Sequence, residues 1–384
     1  MATAVAPRGG SITVRRNPAA PWRHLDIALF VSTVALAGIG LLMVYSATLH
    51  KQKAAGLDPQ AFLKKQALWV LLGLGAMLVA MVVDYRVFRD FAPVIFLGTL
   101  LVLLVVLSPF GSSSKGTQAW FQLGGYELEP SEYAKVALVV CLAAYCAQHR
   151  GDLDLARLGT VLLLAGVPMG LIYLQPDLGT ALVFVAVLLG MLLVAGARPR
   201  HLAALALLGT VGVVAVIQLG VLKQYQLDRL GAFLDPQNDT ARAAYNLHQS
   251  VTTIASGGVT GKGLFKGSQT NLSFVPEQHT DFIFTVVGEE LGLVGAFLLL
   301  ALFALVVWRT WRIAALAKDP FGTLLCVGVL SMLLFQIFEN VGMTMGIMPI
   351  TGIPLPFLSY GGSAMIASFF AIGLVLNVHM RRFS

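Results

Sequence analysis

The sequence predicts an all-α, polytopic membrane protein with about ten transmembrane helices, on three observations. Of its 384 residues, 57% are hydrophobic and 12% charged, with a mean hydropathy of +0.80, whereas soluble domains carry about 25% charge. Apolar stretches of roughly 20 residues, the length that crosses a bilayer as a helix, recur between charged or Gly/Pro-rich connections. The cations are also unevenly shared among those connections. A soluble globular enzyme is therefore excluded. The net charge of +7 implies no nucleic-acid partner, because membrane topology accounts for it.

Taken in order, residues 1–25 are polar and rich in Arg, Pro and Ala, with no apolar signal core or small-residue cleavage site, and read as a cytoplasmic tail. Residues 26–384 read as a single membrane domain, with spans at about 26–48, 66–83, 91–108, 133–149, 158–175, 177–197, 201–221, 281–308, 320–343 and 361–380. Ten spans put both termini on one side. If that side is cytoplasmic, it holds fifteen Lys and Arg, against five in the short outer loops. The positive-inside rule thus places both termini in the cytoplasm. The four lysines Lys51, Lys53, Lys64 and Lys65 of the first outer loop run against this trend.

Three outer connections are long, at about 109–132, 220–280 and 344–360, and long loops in compact domains tend to be functional. In the third, Pro349, Pro354 and Pro356 interrupt an uncharged stretch too long for one helix, so a broken or re-entrant segment is expected. Cys141, Cys146 and Cys326 lie in apolar stretches without disulfide or zinc spacing and read as packing residues.

Ionisable groups at membrane depth are costly and suggest function. Glu132 and Lys135 stand three residues apart on one helix face, which suits either a structural ion pair or a charged cavity wall. Asp177 follows Pro176 at a helix start, where a carboxylate also serves simply as a cap. In NLSFVPEQHTDFIFTVVGEELG (271–292), Asp281 lies at the outer mouth of the eighth span. A carboxylate there suits a general base, with helix capping as the plainer alternative. Glu277, His279 and Asp281 at alternate positions also admit a divalent cation such as Mg or Mn, on a weakly specific spacing. Glu289, Glu290 and Glu339 lie deeper.

The run GGVTGKGLFKGS (257–268) fails the Walker spacing. Its glycines with Lys262 and Lys266 suit either a flexible loop or a diphosphate cradle. The preceding residues 241–258 have the pattern of an amphipathic interfacial helix. Trp120, near Lys115 and Gln118, is either an interfacial anchor or a stacking surface for a sugar.

At these residues the sequence resembles the SEDS family of bacterial cell-wall proteins. The matching stretches are KGTQAWFQLGGYELEPSEYAK, LQPDLGTALVF, SGGVTGKGLFKGSQTNLSFVPEQHTDFIFTVVGEELG and FENVGMTMGIMPITGIPLPFLSYGGSAM. Within the family, GKGLFKGSQ and ENVGMTMGI look more like RodA, the elongation member, than FtsW, the division member. The resemblance implies a peptidoglycan glycosyltransferase that polymerises lipid II on the outer face of the bacterial plasma membrane during elongation and rod-shape maintenance. It also implies a class B penicillin-binding protein as partner. The family's essential aspartate maps onto Asp281, its loop tryptophan onto Trp120, its paired charges onto Glu132 and Lys135, and its QPDLGT aspartate onto Asp177. Glu129 stands where glutamine is commoner.

Forming a β-1,4 bond requires a base for the acceptor's 4-hydroxyl and stabilisation of the departing diphosphate. Asp281 is the expected base. Lys115, Lys135, Arg242, Lys262 and Lys266 are the cations offered to the diphosphate, with His279 beside the base and a divalent cation as a substitute for them. A lipid II flippase and a scaffold recruiting a penicillin-binding protein are the competing readings. The outer placement of the polar motifs favours the enzyme, since transporters cluster charge near the midplane.

Overall fold

The computed structural model describes residues 24–114, 117–151, 153–220, 224–234 and 242–382. Four helices precede the first long connection, α1 (Ile27–Ala54), α2 (Ala61–Val82), the short α3 (Tyr85–Asp90) and α4 (Ala92–Leu107), and α5 (Pro130–Gln148) follows it. Then come α6 (Leu155–Leu174), α7 (Leu178–Ala195), α8 (Pro199–Gln218), α9 (Gln224–Leu234), α10 (Arg242–Ser256) and α11 (Ser268–Asn271). The bundle closes with α12 (Ile283–Ala315), α13 (Pro320–Thr344) and α14 (Gly362–Met380). Each of the ten expected spans falls on one of these helices. Among the described residues, eight helices are long and apolar enough to cross a membrane, and α4 is a shorter apolar one.

Aspartates start several of these helices. Asp26, Asp154, Asp177 and Asp319 each accept a backbone N–H of the first turn, relieving donors that a helix start leaves unpaired. Helix association in lipid rests on close packing of small residues rather than on hydrophobicity. Accordingly, a Cβ on Gly373 of α14 would lie 2.7 Å from the Met77 carbonyl of α2, and one on Gly40 of α1 would lie 2.5 Å from the Phe357 carbonyl. On the face bearing the termini, Arg309 Nε donates to Asp26 at 2.9 Å, and Arg381 pairs with Asp84 at 3.3 Å. Asn377 donates to the Ala80 carbonyl at 2.5 Å. These contacts lock the ends of α1, α2, α12 and α14 together.

The opposite face carries the long connections, and here the all-α bundle bears a small sheet. Residues 112–128 form a three-stranded antiparallel sheet of order β1 (Ser112–Ser114), β2 (Thr117–Leu123) and β3 (Tyr126–Leu128). The segment is too short and polar for a helical pattern, and the glycines Gly124 and Gly125, with φ of 58° and 86°, make the turn between β2 and β3. Between α8 and α12, the expected long loop contains α9, α10 and α11, and α10 is the helix expected over 241–258. The segment between α13 and α14 is non-helical, as its prolines suggest, and dips into the core: Ile353, Leu355, Phe357 and Leu358 are at most 2% exposed.

Candidate active site

Asp281 lies on the loop-bearing face, one residue before Phe282, the N-cap of α12. The aspartate is thus not the cap residue, and the helix starts without a side-chain cap. Its backbone is held from α13: buried Asn340 donates through Nδ2 to the Asp281 carbonyl and the Ile353 carbonyl, both at 2.8 Å. One amide group thereby ties the mouth of α12 to the re-entrant segment.

That segment gathers the other polar groups. Arg229 of α9 donates through Nη1 to the Thr351 carbonyl at 3.1 Å. Gly352 has a φ of +82°, and a Cβ there would lie 3.4 Å from Asp281 Oδ2 and 3.8 Å from Arg229 Nη1. The acid and the guanidinium therefore flank one glycine. From the other side, a Cβ on Gly179 would lie 3.1 Å from the Thr351 carbonyl and 3.6 Å from Asp177 Oδ1. Asp177 itself accepts the Thr180 N–H at 3.0 Å, realising its capping role.

Lys135 and Glu132 form a buried ion pair at 2.6 Å near the start of α5. Just before that helix, Glu129 accepts the Ser131 hydroxyl at 2.8 Å, while its own N–H donates to Ser363 Oγ at 2.8 Å. Desolvation, with the negative charges of Glu132 and Asp177 nearby, pushes the Glu129 carboxyl up to about 8. Below that pH it holds a proton. An apolar cleft of about 470 Å³ opens beside this group, lined by Ile95, Gly98, Thr99 and Val102 of α4 and by Leu128, Pro130, Tyr133 and Ala134.

His279 packs its ring edge-on against Phe62 at 5.0 Å, and its carbonyl accepts the Tyr360 N–H at 2.9 Å. A small cavity of about 60 Å³ lies alongside, lined by His279, Glu277, Lys51 and Phe62 among others. Among the described residues, no group of three His, Cys, Asp or Glu side chains is placed to hold a metal ion. Glu277, His279 and Asp281 therefore do not fit the cation site that their spacing admitted. Trp120 lies on β2 and is half-buried, its carbonyl accepting Ser112 Oγ at 3.0 Å.

The glycine-rich run is packed against α12. Its amides are engaged internally: Lys262 N donates to the Glu289 carbonyl at 3.0 Å, Gly263 N to Glu290 at 2.9 Å, and Lys266 N to Gly263 at 3.1 Å. The Lys262 ammonium pairs with buried Glu289 at 2.7 Å and donates to Ser256 and Ser268 at 2.8 and 2.7 Å. Glu289 also accepts Gln269 N at 2.9 Å, Thr270 N at 2.8 Å and Thr270 Oγ1 at 2.7 Å. The loop seats on α12 where that helix kinks at Gly292, whose φ is 65°. A Cβ on Gly292 would lie 2.2 Å from the Gly261 N, and one on Gly261 would lie 2.2 Å from the Glu290 carbonyl. Lys262 thus serves the fold. Lys266 is exposed, Lys115 lies outside the described residues, and so does the side chain of Arg242, which begins α10.

Residues 27–383 match the family model for the FtsW, RodA and SpoVE cell cycle proteins. The chain belongs to this family. It is 38% identical over 359 residues to the probable peptidoglycan glycosyltransferase FtsW of Geobacter metallireducens, covering 93% of this chain and 95% of that relative. A solved peptidoglycan synthase complex that coordinates polymerization and crosslinking contains a chain of the same fold, with TM-score 0.79 and 32% identity, covering 94% of this chain and 98% of that one. RodA of Thermus thermophilus matches with TM-score 0.70 and 30% identity over 94% of this chain and 99% of that one. FtsW and RodA both stand among the similar proteins of this family member, so its role in elongation is a matter for proposal.

The site as folded includes residues that sequence reasoning passed over. Arg229 sits in a stretch of ordinary polar composition, and Asn340 and Gly352 lie in uncharged runs, so only their meeting at Asp281 distinguishes them. Glu289 was visible as a deep carboxylate, and the lysine 27 positions earlier that neutralises it was visible too. Their pairing was not.

Proposed function

We propose that this chain polymerises lipid II into β-1,4 glycan strands, with Asp281 as the general base. The loop-bearing face is then the extracytoplasmic one, and both termini lie in the cytoplasm of a bacterium whose plasma membrane the helices span. The acceptor's 4-hydroxyl gives its proton to Asp281, and its oxygen attacks the donor's anomeric carbon. The anomeric C–O bond to the diphosphate breaks with inversion, and its electron pair leaves on the lipid diphosphate.

The observation that carries this reading is the placement of Asp281 at a junction of α12, α13 and the re-entrant segment, beside Gly352, with Arg229 of α9 and Asp177 of the α7 start close to the same segment. Preorganisation of that kind is what charge development in a transition state requires. The apolar cleft beside α5 supports a lipid-linked substrate, since its volume of about 470 Å³ accommodates a stretch of polyprenyl chain. The similarity to a peptidoglycan synthase complex supports a class B penicillin-binding protein as partner, and the matching motifs support a role in elongation and rod shape. The growing chain is the donor and incoming lipid II the acceptor.

The test is gel-resolved polymer formation from labelled lipid II by the purified protein, with and without its cognate penicillin-binding partner. Wild type should make polymer, and Asp281→Ala should make none while keeping its thermal unfolding midpoint. Lipid II movement across liposomes without any polymer would replace this reading with a flippase, and polymer from Asp281→Ala would remove the base assignment.

A further inference from the structure

We infer that Gln278 is a positioning residue for the base: its side-chain amide seats the turn that carries Asp281 on α1 and α11. The inference rests on the polymerase reading and deepens it.

The turn has a backbone that must be held. The N–H groups of Thr280 and Phe282 both donate to the Glu277 carbonyl, at 3.1 and 3.4 Å. Glu277 itself has a φ of +55°, a left-handed conformation that is costly for any residue with a Cβ. Ser273, earlier in the same connection, has the same φ. Residues in such conformations persist only where their surroundings over-determine them.

Gln278 supplies a large share of that hold. The residue is 4% exposed, and its Nε2 donates to the Ala47 carbonyl at 2.7 Å and to the Thr270 carbonyl at 2.9 Å, which uses both protons of the amide. Ala47 belongs to α1 and Thr270 to α11. Thr270 is in turn fixed by Glu289 of α12, which accepts its N–H and its Oγ1. Through one side chain, the residues that lead into α12 are therefore tied to α1 and to a carboxylate inside α12 itself. The next positions are held from other directions: the His279 carbonyl accepts Tyr360 N at 2.9 Å, and the Asp281 carbonyl accepts Asn340 Nδ2 at 2.8 Å.

A general base works only with its oxygen within hydrogen-bond reach of the proton it takes, and a misplacement of about 1 Å can cost about 100-fold in rate. Both amide protons of Gln278 face protein carbonyls, so its loss should lower the rate of the chemical step and leave substrate affinity unchanged. Both carbonyls also keep other roles: Thr270 still accepts Ser273 N at 3.1 Å, and Ala47 stays within the ladder of α1. Gln278→Met, which keeps the length of the side chain and removes its donors, is therefore the informative variant.

The experiment measures kcat and KM for polymer formation from labelled lipid II by the full chain with its penicillin-binding partner, for wild type and Gln278→Met. The variant should lose about 10- to 100-fold in kcat with KM within about twofold of wild type, the pattern of an effect confined to the transition state. A kcat equal to wild type, or a raised KM at unchanged kcat, would overturn the inference. Amide hydrogen exchange gives the second measurement. In the unmodified protein Thr280 and Phe282 should exchange as slowly as Gln269 and Thr270, and in Gln278→Met both should exchange faster while α14 is unchanged. Free exchange of Thr280 and Phe282 in the unmodified protein overturns the inference even if Gln278→Met does not fold. A wild type that makes no polymer strikes the polymerase reading, whereas active wild type with an equally active Gln278→Met strikes only the role of Gln278.

Discussion

Replacing Glu289 by alanine tests the view that the glycine-rich run is clamped to α12 by one buried carboxylate. Glu289 is 0% exposed and accepts Lys262 Nζ, Gln269 N, Thr270 N and Thr270 Oγ1 at 2.7 to 2.9 Å. A hydrogen bond to a charged group contributes about 1.5–3 kcal/mol, and each donor stranded in the interior costs about 1–3 kcal/mol. Glu289→Ala strands two backbone N–H groups and takes away the ammonium's charged partner, so a loss of about 4 kcal/mol is expected, within the range of about 3–5 for breaking a buried pair. Lys262→Met removes one donor of the four and leaves the carboxylate held by α11, so its cost should be about 2 kcal/mol. Because the lysine has then already lost its charged partner and keeps only the Ser256 and Ser268 hydroxyls, adding Lys262→Met to Glu289→Ala should cost less than it does alone, a coupling of about 2 kcal/mol in the double-mutant cycle. Equilibrium unfolding in detergent measures the energies, and amide hydrogen exchange at Gln269 and Thr270 reports the clamp. Equal costs for the two single variants, or unchanged protection at 269 and 270 in Glu289→Ala, would refute the reasoning. The consequence should reach the site: Gln278 bonds the Thr270 and Ala47 carbonyls at 2.9 and 2.7 Å, three positions before Asp281.

Four further outcomes are expected. The Glu129 carboxyl sits near 8 in the fold against 4.5 unperturbed, so between those values the folded chain holds one more proton than the unfolded one and stability should fall as pH rises; Glu129→Gln should flatten that slope in unfolding midpoints from pH 5 to 9 while leaving polymer formation intact at pH 7, where the protonated acid already resembles the amide. Lys135→Met should destabilise by about 3–5 kcal/mol by leaving Glu132 charged and alone, and the double change with Glu132→Gln should recover most of the loss, as read by thermal unfolding. Gly292→Ala should disrupt the kink of α12, since its φ is +65° and its Cβ would lie 2.2 Å from Gly261 N; loss of exchange protection across 257–270 checks this. Trp120→Ala should raise the KM for lipid II about tenfold, equivalent to about 1.4 kcal/mol of stacking, with Trp120→Tyr retaining most of it; an unchanged KM would assign the ring to membrane anchoring.

Much of the fold was legible because bilayer insertion imposes a one-dimensional rule. Apolar length places a helix and charge bounds it, so a helix at each expected span, eight of them long and apolar enough to cross a membrane among the described residues, and the break at Pro349, Pro354 and Pro356 could be read directly. Asp281, Trp120, Glu132, Lys135 and Asp177 stood out because polar groups against an apolar background are conspicuous. The sheet over 112–128 escaped because its strands are short and polar, and pairing between β1 and β2 is a tertiary matter. The glycine-rich run stayed open for a related reason: glycine and lysine suit an anion cradle and a close-packed loop equally well, and the pairing of Lys262 with Glu289 is a tertiary matter.

What the sequence determined by itself is therefore the membrane architecture and a set of candidate polar side chains, since both follow from residue type and local spacing. What the tertiary structure decided is which of those side chains meet. Asp281 and Arg229 are 52 positions apart and Asn340 is 59 beyond Asp281, and no periodicity links such distant positions. Their convergence on Gly352 is a product of packing between α9, α12, α13 and the re-entrant segment. The same packing gave Lys262 to Glu289, because a buried carboxylate must find a partner wherever the fold places one.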